Sequence, residues 1–285
     1  MKTIILFSTL IMSLSAHAFD WQGHRGARGL YPENTIGAMR EALSYPLITT
    51  LEMDVIISKD GEVVVSHEPW MAAEICLDLA GKPVEEKQIN LYKLTAAEIA
   101  QYDCGSKPHP RFEKQKKVKA TKPLLKDLLT DIHATHPKIL FNIEIKSLPI
   151  DEKAGFQPDI RTFTDKVIAT IKSTSVDLSR VHIQSFDWRV LKYLHTKYPQ
   201  VKTVALTEDK KFTAKTVLKA LGFIPTVFSP SYEDLTKPLV EEFQRSGMKV
   251  IPWTVNDPKD MRRMISYGVD GIITDYPNLI FPATP

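Results

Sequence analysis

From Phe19 onward, apolar and β-branched runs alternate with stretches whose apolar residues recur every three or four positions. The strand-like runs are FDWQGHRG, TLEMDVII, EVVVSHE, KILFNIEIK, RVHIQSF, KTVALTE, TVFSPSY, MKVIPWTV and VDGIITD. Between most of them lie helical patterns: IGAMREALSY, RTFTDKVIATIKST, WRVLKYLHTKY, TAKTVLKAL, LVEEFQRSG and DPKDMRRMISYG. Strands that alternate with helices predict parallel βαβ units. Lys59-Asp60-Gly61 separates two strand-like runs without room for a helix and predicts a hairpin turn. Counted as one position, that hairpin leaves eight strand–helix units, the number that closes a (β/α)8 TIM barrel. An open doubly wound sheet would want a Gly-rich phosphate loop after the first strand, and GHRGARG lacks the G-x-G-x-x-G spacing.

The stretch from about 69 to 122 breaks this rhythm and reads as an insertion on a barrel face, after the second strand region. It holds Cys76, Cys104, several prolines and a basic run. Between Lys107 and Lys126 the acid Glu113 stands among eight Lys or Arg residues. Such a run is usually a solvated loop; it would also draw anionic substrates or make transient contact with a phospholipid surface. Over the chain, 37 Lys and Arg face 34 Asp and Glu, a net charge of +3. That balance gives no support to nucleic-acid binding, and nothing in it indicates an obligate protein partner.

Residues 1–18, MKTIILFSTLIMSLSAHA, have a lysine at the start, an apolar run and a small-x-small end. This is the pattern of a cleaved signal peptide, predicting export to a periplasm or the medium, with Phe19 as the first mature residue. In an oxidising compartment two cysteines favour a disulfide, here Cys76 with Cys104, and two buried thiols are the alternative. Closing that loop would stabilise the fold by roughly 3 kcal/mol on the chain-entropy account.

The polar residues on the strands carry the chemistry. Glu52 and Asp54 are two apart, so on a strand they share one face while Leu51, Met53 and Val55 take the other. Asn142, Glu144 and Lys146 likewise share a face of FNIEIKS. A single acid there reads as an ion pair with Lys146 or Lys59. Three acids gathered inside a barrel make an oxygen-rich site for one hard divalent ion, Ca²⁺ or Mg²⁺. His24 and His67 each end a strand-like run, where barrel enzymes place their active-site rim. Two imidazoles there can act as general base and general acid, and Arg25 offers a forked cation to phosphate oxygens. His109, His133, His136 and His195 lie in loops or helical patterns and take no assigned role; His182, on a strand, is open. The set fits phosphoryl transfer on a diester without nucleotide, since no Walker or kinase motif is present.

The segments HRGARGLYPENTIGAM, EMDVIISKDGEVVVSHE, TKPLLKDLL, FNIEIK, HIQSFD, WTVND and DGIITDYP, in this order, resemble the glycerophosphodiester phosphodiesterases from His24 to Pro277. The resemblance implies a (β/α)8 barrel that hydrolyses glycerophosphodiesters to glycerol 3-phosphate and an alcohol with a divalent ion. It implies His24 and His67 as the acid–base pair, Arg25 at the phosphate, and Glu52, Asp54 and Glu144 as metal ligands. Lys146 is implied as a phosphate contact, Trp253 as a pocket wall, and Gln184 and Asn34 as further substrate contacts. At one position the chain departs from the pattern: Glu68 follows His67 where aspartate is expected. Lysophospholipids are the alternative substrates, and a non-catalytic surface protein holding a ligand is the alternative role. The glycines of GHRGARG are expected to let backbone approach a phosphate, with Asn34 and Thr35 capping the first helix.

Overall fold

The computed structural model describes residues 19–283; the expected signal peptide, 1–18, lies outside them. No helix among the described residues is long and apolar enough to cross a membrane. The strands are β1 (Asp20–Gly23), β2 (Ile48–Ile57), β3 (Val63–Val65), β4 (Leu140–Ile145), β5 (Val181–Ser185), β6 (Lys202–Thr207), β7 (Val227–Pro230), β8 (Lys249–Val250) and β9 (Gly271–Thr274). The helices are α1 (Ile36–Leu43), α2 (Ala96–Ile99), α3 (Leu125–Thr135), α4 (Pro149–Lys153), α5 (Ile160–Lys172), α6 (Trp188–Lys197), α7 (Ala214–Leu221), α8 (Lys237–Arg245) and α9 (Pro258–Ser266).

Eight strands pair in parallel in the order β8-β7-β6-β5-β4-β2-β1-β9, and β3 pairs antiparallel with β2 as the hairpin predicts. Gly61 supplies that turn's left-handed residue at φ 82°. The ring is nearly closed. Asp270 N donates to Val250 O, Val255 N to Ile273 O and Ile273 N to Pro252 O, tying the β8 segment to β9. The strand expected over MKVIPWTV shortens to two residues, because Pro252 has no N–H to give a ladder.

Side-chain alternation sorts the strands into two environments. Leu51, Met53, Val55, Phe141, Ile143 and Ile145 pack outward into the main core beneath the helices. Toward the barrel interior, Val204, Val227, Ile251 and Ile273 form a small apolar cluster. On the β1, β2, β4 and β5 side the interior is polar: Gln22, Thr50, Glu52, Asp54, Asn142, Glu144 and Gln184 are all buried. The pattern given above does not include α3, yet its Leu125, Leu128, Leu129 and Ile132 line one buried helical face.

The segment between β3 and α3 has its own apolar cluster, built from Met71, Ile75, Cys76, Val84, Leu91, Ile99 and Cys104. Cys76 and Cys104 are disulfide-bonded across it. This insertion sits over the C-terminal ends of the strands, where Trp70, Ala72, Ile75 and Arg111 line a charged cavity.

Candidate active site

That cavity, about 740 Å³, is lined by His24, Arg25, Glu52, His67, Glu144, Lys146, Gln184 and Trp253. Eight residues predicted from sequence therefore meet at one place. Parallel pairing of β2 with β4 puts Glu52 opposite Asn142 and Asp54 opposite Glu144. One carboxylate oxygen each from Glu52, Asp54 and Glu144 lies within 4.8 Å of the others.

Three buried acids at that spacing repel one another. Burial and the neighbouring Asp54 hold Glu52 well above the usual carboxylate range. Burial also pushes Glu144 up to about 7, although Lys146, 3.0 Å from it, pulls the other way. Asp54 goes below its ordinary value: burial, the largest single influence, would raise it, but Arg25, His67, Lys146 and the Asn34 hydrogen bond together outweigh burial. The ordinary ion pair with Lys146 and the acidic cluster thus coexist. A hard cation fits this all-oxygen donor set, because it would supply the positive charge that Glu52 and Glu144 lack.

Both imidazoles are oriented by a carboxylate. Nδ1 of His24, just past β1, lies 2.6 Å from Asp275 Oδ1, just past β9. Its Nε2 lies 4.0 Å from Glu52 Oε2. Nδ1 of His67 lies 2.6 Å from Glu68 Oε1, so the residue that departs from the expected aspartate still engages its histidine. Burial lowers the pKa of both histidines against the pull of these carboxylates. Asp275 is drawn down to about 2, since His24 and Arg28 outweigh its burial.

Arg25 adopts φ 48°, an uncommon conformation for a non-glycine residue, and its N–H donates to Glu52 Oε2 at 2.7 Å. Its Nη1 donates to Glu33 Oε1 at 2.7 Å and its Nε stands 3.3 Å from Asp54. Nη2 makes no hydrogen bond or ion pair among the described residues. Arg28 braces the same Glu33 at 2.8 Å.

Two expected substrate contacts hydrogen-bond acids of the site. Asn34 does not face the cavity: its Nδ2 donates to Asp54 Oδ2 at 2.8 Å and its Oδ1 accepts from Asp54 N at 3.2 Å. It clamps an acid, and Thr35 alone caps α1 by accepting from Ala38 N. Gln184 lines the cavity, but its Nε2 donates to Glu52 Oε1 at 2.7 Å. Its Oε1 accepts from Asn142, which also donates to Gln22, and Gln22 donates to Asp20. A chain of amides thus runs down the barrel and fixes Glu52 from below. The glycines also differ from expectation. None lines the cavity; a Cβ at Gly26 would stand 2.6 Å from the Ala38 backbone, so this glycine lets the loop seat against α1.

Trp253 is a cavity wall, its ring edge-on to Phe186 at 5.5 Å and its indole N–H bonded to Ser229 O. Sequence reasoning missed Asp275, Glu33, Arg28 and Phe186. Asp275 ends a strand-like run as His24 does, so the same rim rule would have found it. Glu33 and Arg28 sit in a loop with no period to mark them.

A nearly closed parallel barrel with a charged cavity at the strands' C-terminal ends defines an enzyme of the (β/α)8 class. The profile of the glycerophosphoryl diester phosphodiesterase family matches residues 24–279, and the chain belongs to that family of hydrolases. A glycerophosphodiester phosphodiesterase of Caldanaerobacter subterraneus subsp. tengcongensis is 30% identical over 261 residues, covering 90% of this chain and 94% of that one. One from Bacillus subtilis (strain 168) is 29% identical over 266 residues, covering 90% and 83%. The solved structure of a provisionally assigned glycerophosphoryl diester phosphodiesterase from Silicibacter pomeroyi DSS-3 superposes with a TM-score of 0.83 at 29% identity, covering 93% and 92%. A phosphodiesterase from Oleispira antarctica, solved with sn-glycerol-3-phosphate as product, shares the fold with a TM-score of 0.74 at 22% identity, covering 93% and 96%.

Proposed function

We propose that this protein is an exported hydrolase that converts glycerophosphodiesters to glycerol 3-phosphate and an alcohol with the help of one divalent cation, Ca²⁺ or Mg²⁺. The observation that carries the reading is the convergence of three buried carboxylates and two carboxylate-oriented imidazoles on one cavity. Glu52, Asp54 and Glu144 would hold the cation. Bound there, it would neutralise charge on a non-bridging phosphate oxygen.

The remaining work falls to side chains of this chain. Arg25 and Lys146 face the same cavity and address the other phosphate oxygens. His24 and His67 each keep Nδ1 on a carboxylate, so each presents Nε2 to the substrate. One imidazole takes the proton of the attacking water, or of the substrate's own glycerol hydroxyl, in which case a cyclic phosphate forms and water then opens it, breaking one ring P–O bond to give glycerol 3-phosphate. The other gives its proton to the alkoxide as the P–O ester bond breaks. Trp253 and Phe186 wall the cavity and exclude water on one side. Export is supported by the disulfide, which needs an oxidising compartment.

Incubating the protein with glycerophosphocholine, with and without chelator, tests this reading by assay of glycerol 3-phosphate. Metal-dependent release is expected; no release with either cation overturns it. His67→Ala should lower turnover by about 10²- to 10⁴-fold.

A second reading, lysophospholipid hydrolysis, is favoured by one observation. Leu148 and Ile150 are 43% and 72% exposed and line the same cavity. They form an apolar lip that an acyl chain could lie on, beside the basic insertion that would meet a phospholipid surface. Choline release from lysophosphatidylcholine, compared with glycerophosphocholine, separates the two.

A further inference from the structure

The barrel carries a second cavity at its other end, about 900 Å³, open at the N-terminal ends of the strands. Asp20 of β1, Leu140 of β4, His182 of β5, Lys202 of β6 and Lys249 of β8 line it, with Lys138 from the loop before β4. His182 shares the interior-facing side of β5 with Gln184 and pairs in register with Lys202. Its side chain is nine-tenths buried, with 9% of the residue exposed. Its ring faces the cavity and makes no hydrogen bond to another side chain or backbone group among the described residues. A neutral imidazole carries one donor and one acceptor, and here both nitrogens open onto the cavity.

The charges around it are lopsided. Asp20 is the one carboxylate lining this cavity. Its oxygens already accept from Gln22, Thr49 and Thr50, at 2.8, 2.7 and 2.6 Å. Against it stand three ammonium groups. Lys202 donates to Ser179 O at 2.6 Å, while Lys138 and Lys249 have no protein acceptor among the described residues. An imidazole that opens onto a cavity lined by three ammonium groups suits a partner rich in acceptors and negative charge. Oxygens pointing in several directions would meet donors that come from β5, β6 and β8 at once.

We propose that the N-terminal mouth of the barrel binds a tetrahedral oxyanion, phosphate or a phosphate monoester, through His182, Lys202 and Lys249. The site is separate from the catalytic cavity, and the amide chain from Asp20 to Glu52 runs between them. Tyr45, Pro46, Ile48, Pro137 and Ile139 leave apolar room beside the anion for an organic substituent.

Histidine-ring NMR of the full protein tests this, with the His182 ring assigned through its own backbone. Inorganic phosphate and sn-glycerol 3-phosphate are titrated separately, against chloride at matched ionic strength. A saturable shift of the His182 resonances with either ligand is expected, and the tighter of the two names the source. Lys249→Gln should weaken that binding roughly tenfold, the size of one charge-assisted hydrogen bond, and leave turnover on glycerophosphocholine unchanged. Shifts confined to His24 and His67 overturn the proposal, as does a His182 shift that chloride reproduces.

Discussion

Asp275 shows how much of this site depends on residues that touch no substrate. Its carboxylate lies 2.6 Å from His24 Nδ1, accepts from Asn256 and stands 4.0 Å from Arg28. An imidazole so held keeps one tautomer and one ring orientation, which is what proton transfer needs from it. Asp275→Asn should preserve the fold and lower kcat by on the order of 10²-fold or more, with a small change in KM, as loss of an orienting carboxylate does elsewhere. Steady-state kinetics on glycerophosphocholine checks this; unchanged kcat would show that His24 is oriented by other means. Arg25 is the counterpart on the phosphate side. Glu33 and Asp54 raise its pKa further against burial, so the guanidinium stays charged at any working pH.

Among the elements, β2 is the organising one. Its two acids reach the cavity only because parallel pairing with β4 places Asp54 beside Glu144, and pairing with β1 brings the Arg25 N–H to Glu52. The β2–β3 hairpin then returns the chain to deliver His67 on the same rim. The insertion that follows is stapled by Cys76–Cys104, which closes a loop of sequence separation 28. A Cys76→Ser, Cys104→Ser double variant should lose roughly 3 kcal/mol of stability on the chain-entropy account. Denaturant unfolding of oxidised protein against the variant measures it. Coincident curves would mean that the apolar cluster around Met71 and Leu91 holds the insertion by itself.

At the scale of the whole molecule, the acidic centre ties stability to pH and to metal. In the metal-free protein Glu144 keeps its proton up to about 7, whereas its ordinary value is 4.5. The stability that this proton confers is complete below the lower value and is lost as the pH rises through the upper one; Glu52 acts in the same direction. Buried, neutral His24 and His67 have the opposite slope. The rise in Tm on adding Ca²⁺ or Mg²⁺ to chelator-treated protein should therefore grow between about pH 5 and about pH 8, as protons stop competing for the carboxylates. Scanning calorimetry at several pH values checks it, and a pH-independent rise would place the cation elsewhere.

The residues themselves determined a good deal. Alternation along TLEMDVII and KILFNIEIK put Glu52, Asp54 and Glu144 on the faces opposite Leu51, Met53, Phe141 and Ile143, because side chains on a strand alternate whatever surrounds it. The strand count predicted a barrel, and the strand-end rule placed His24 and His67 on one rim. What the tertiary structure decided was which neighbour each polar group would find. Asn34 looked free for substrate and is held by Asp54, while Gln184 turns to Glu52. Asp275 meets a histidine 251 positions away. Strand periodicity is a local property of the backbone, so it is legible in the chain; hydrogen-bond partners are set by barrel closure, which brings together residues that no sequence spacing relates.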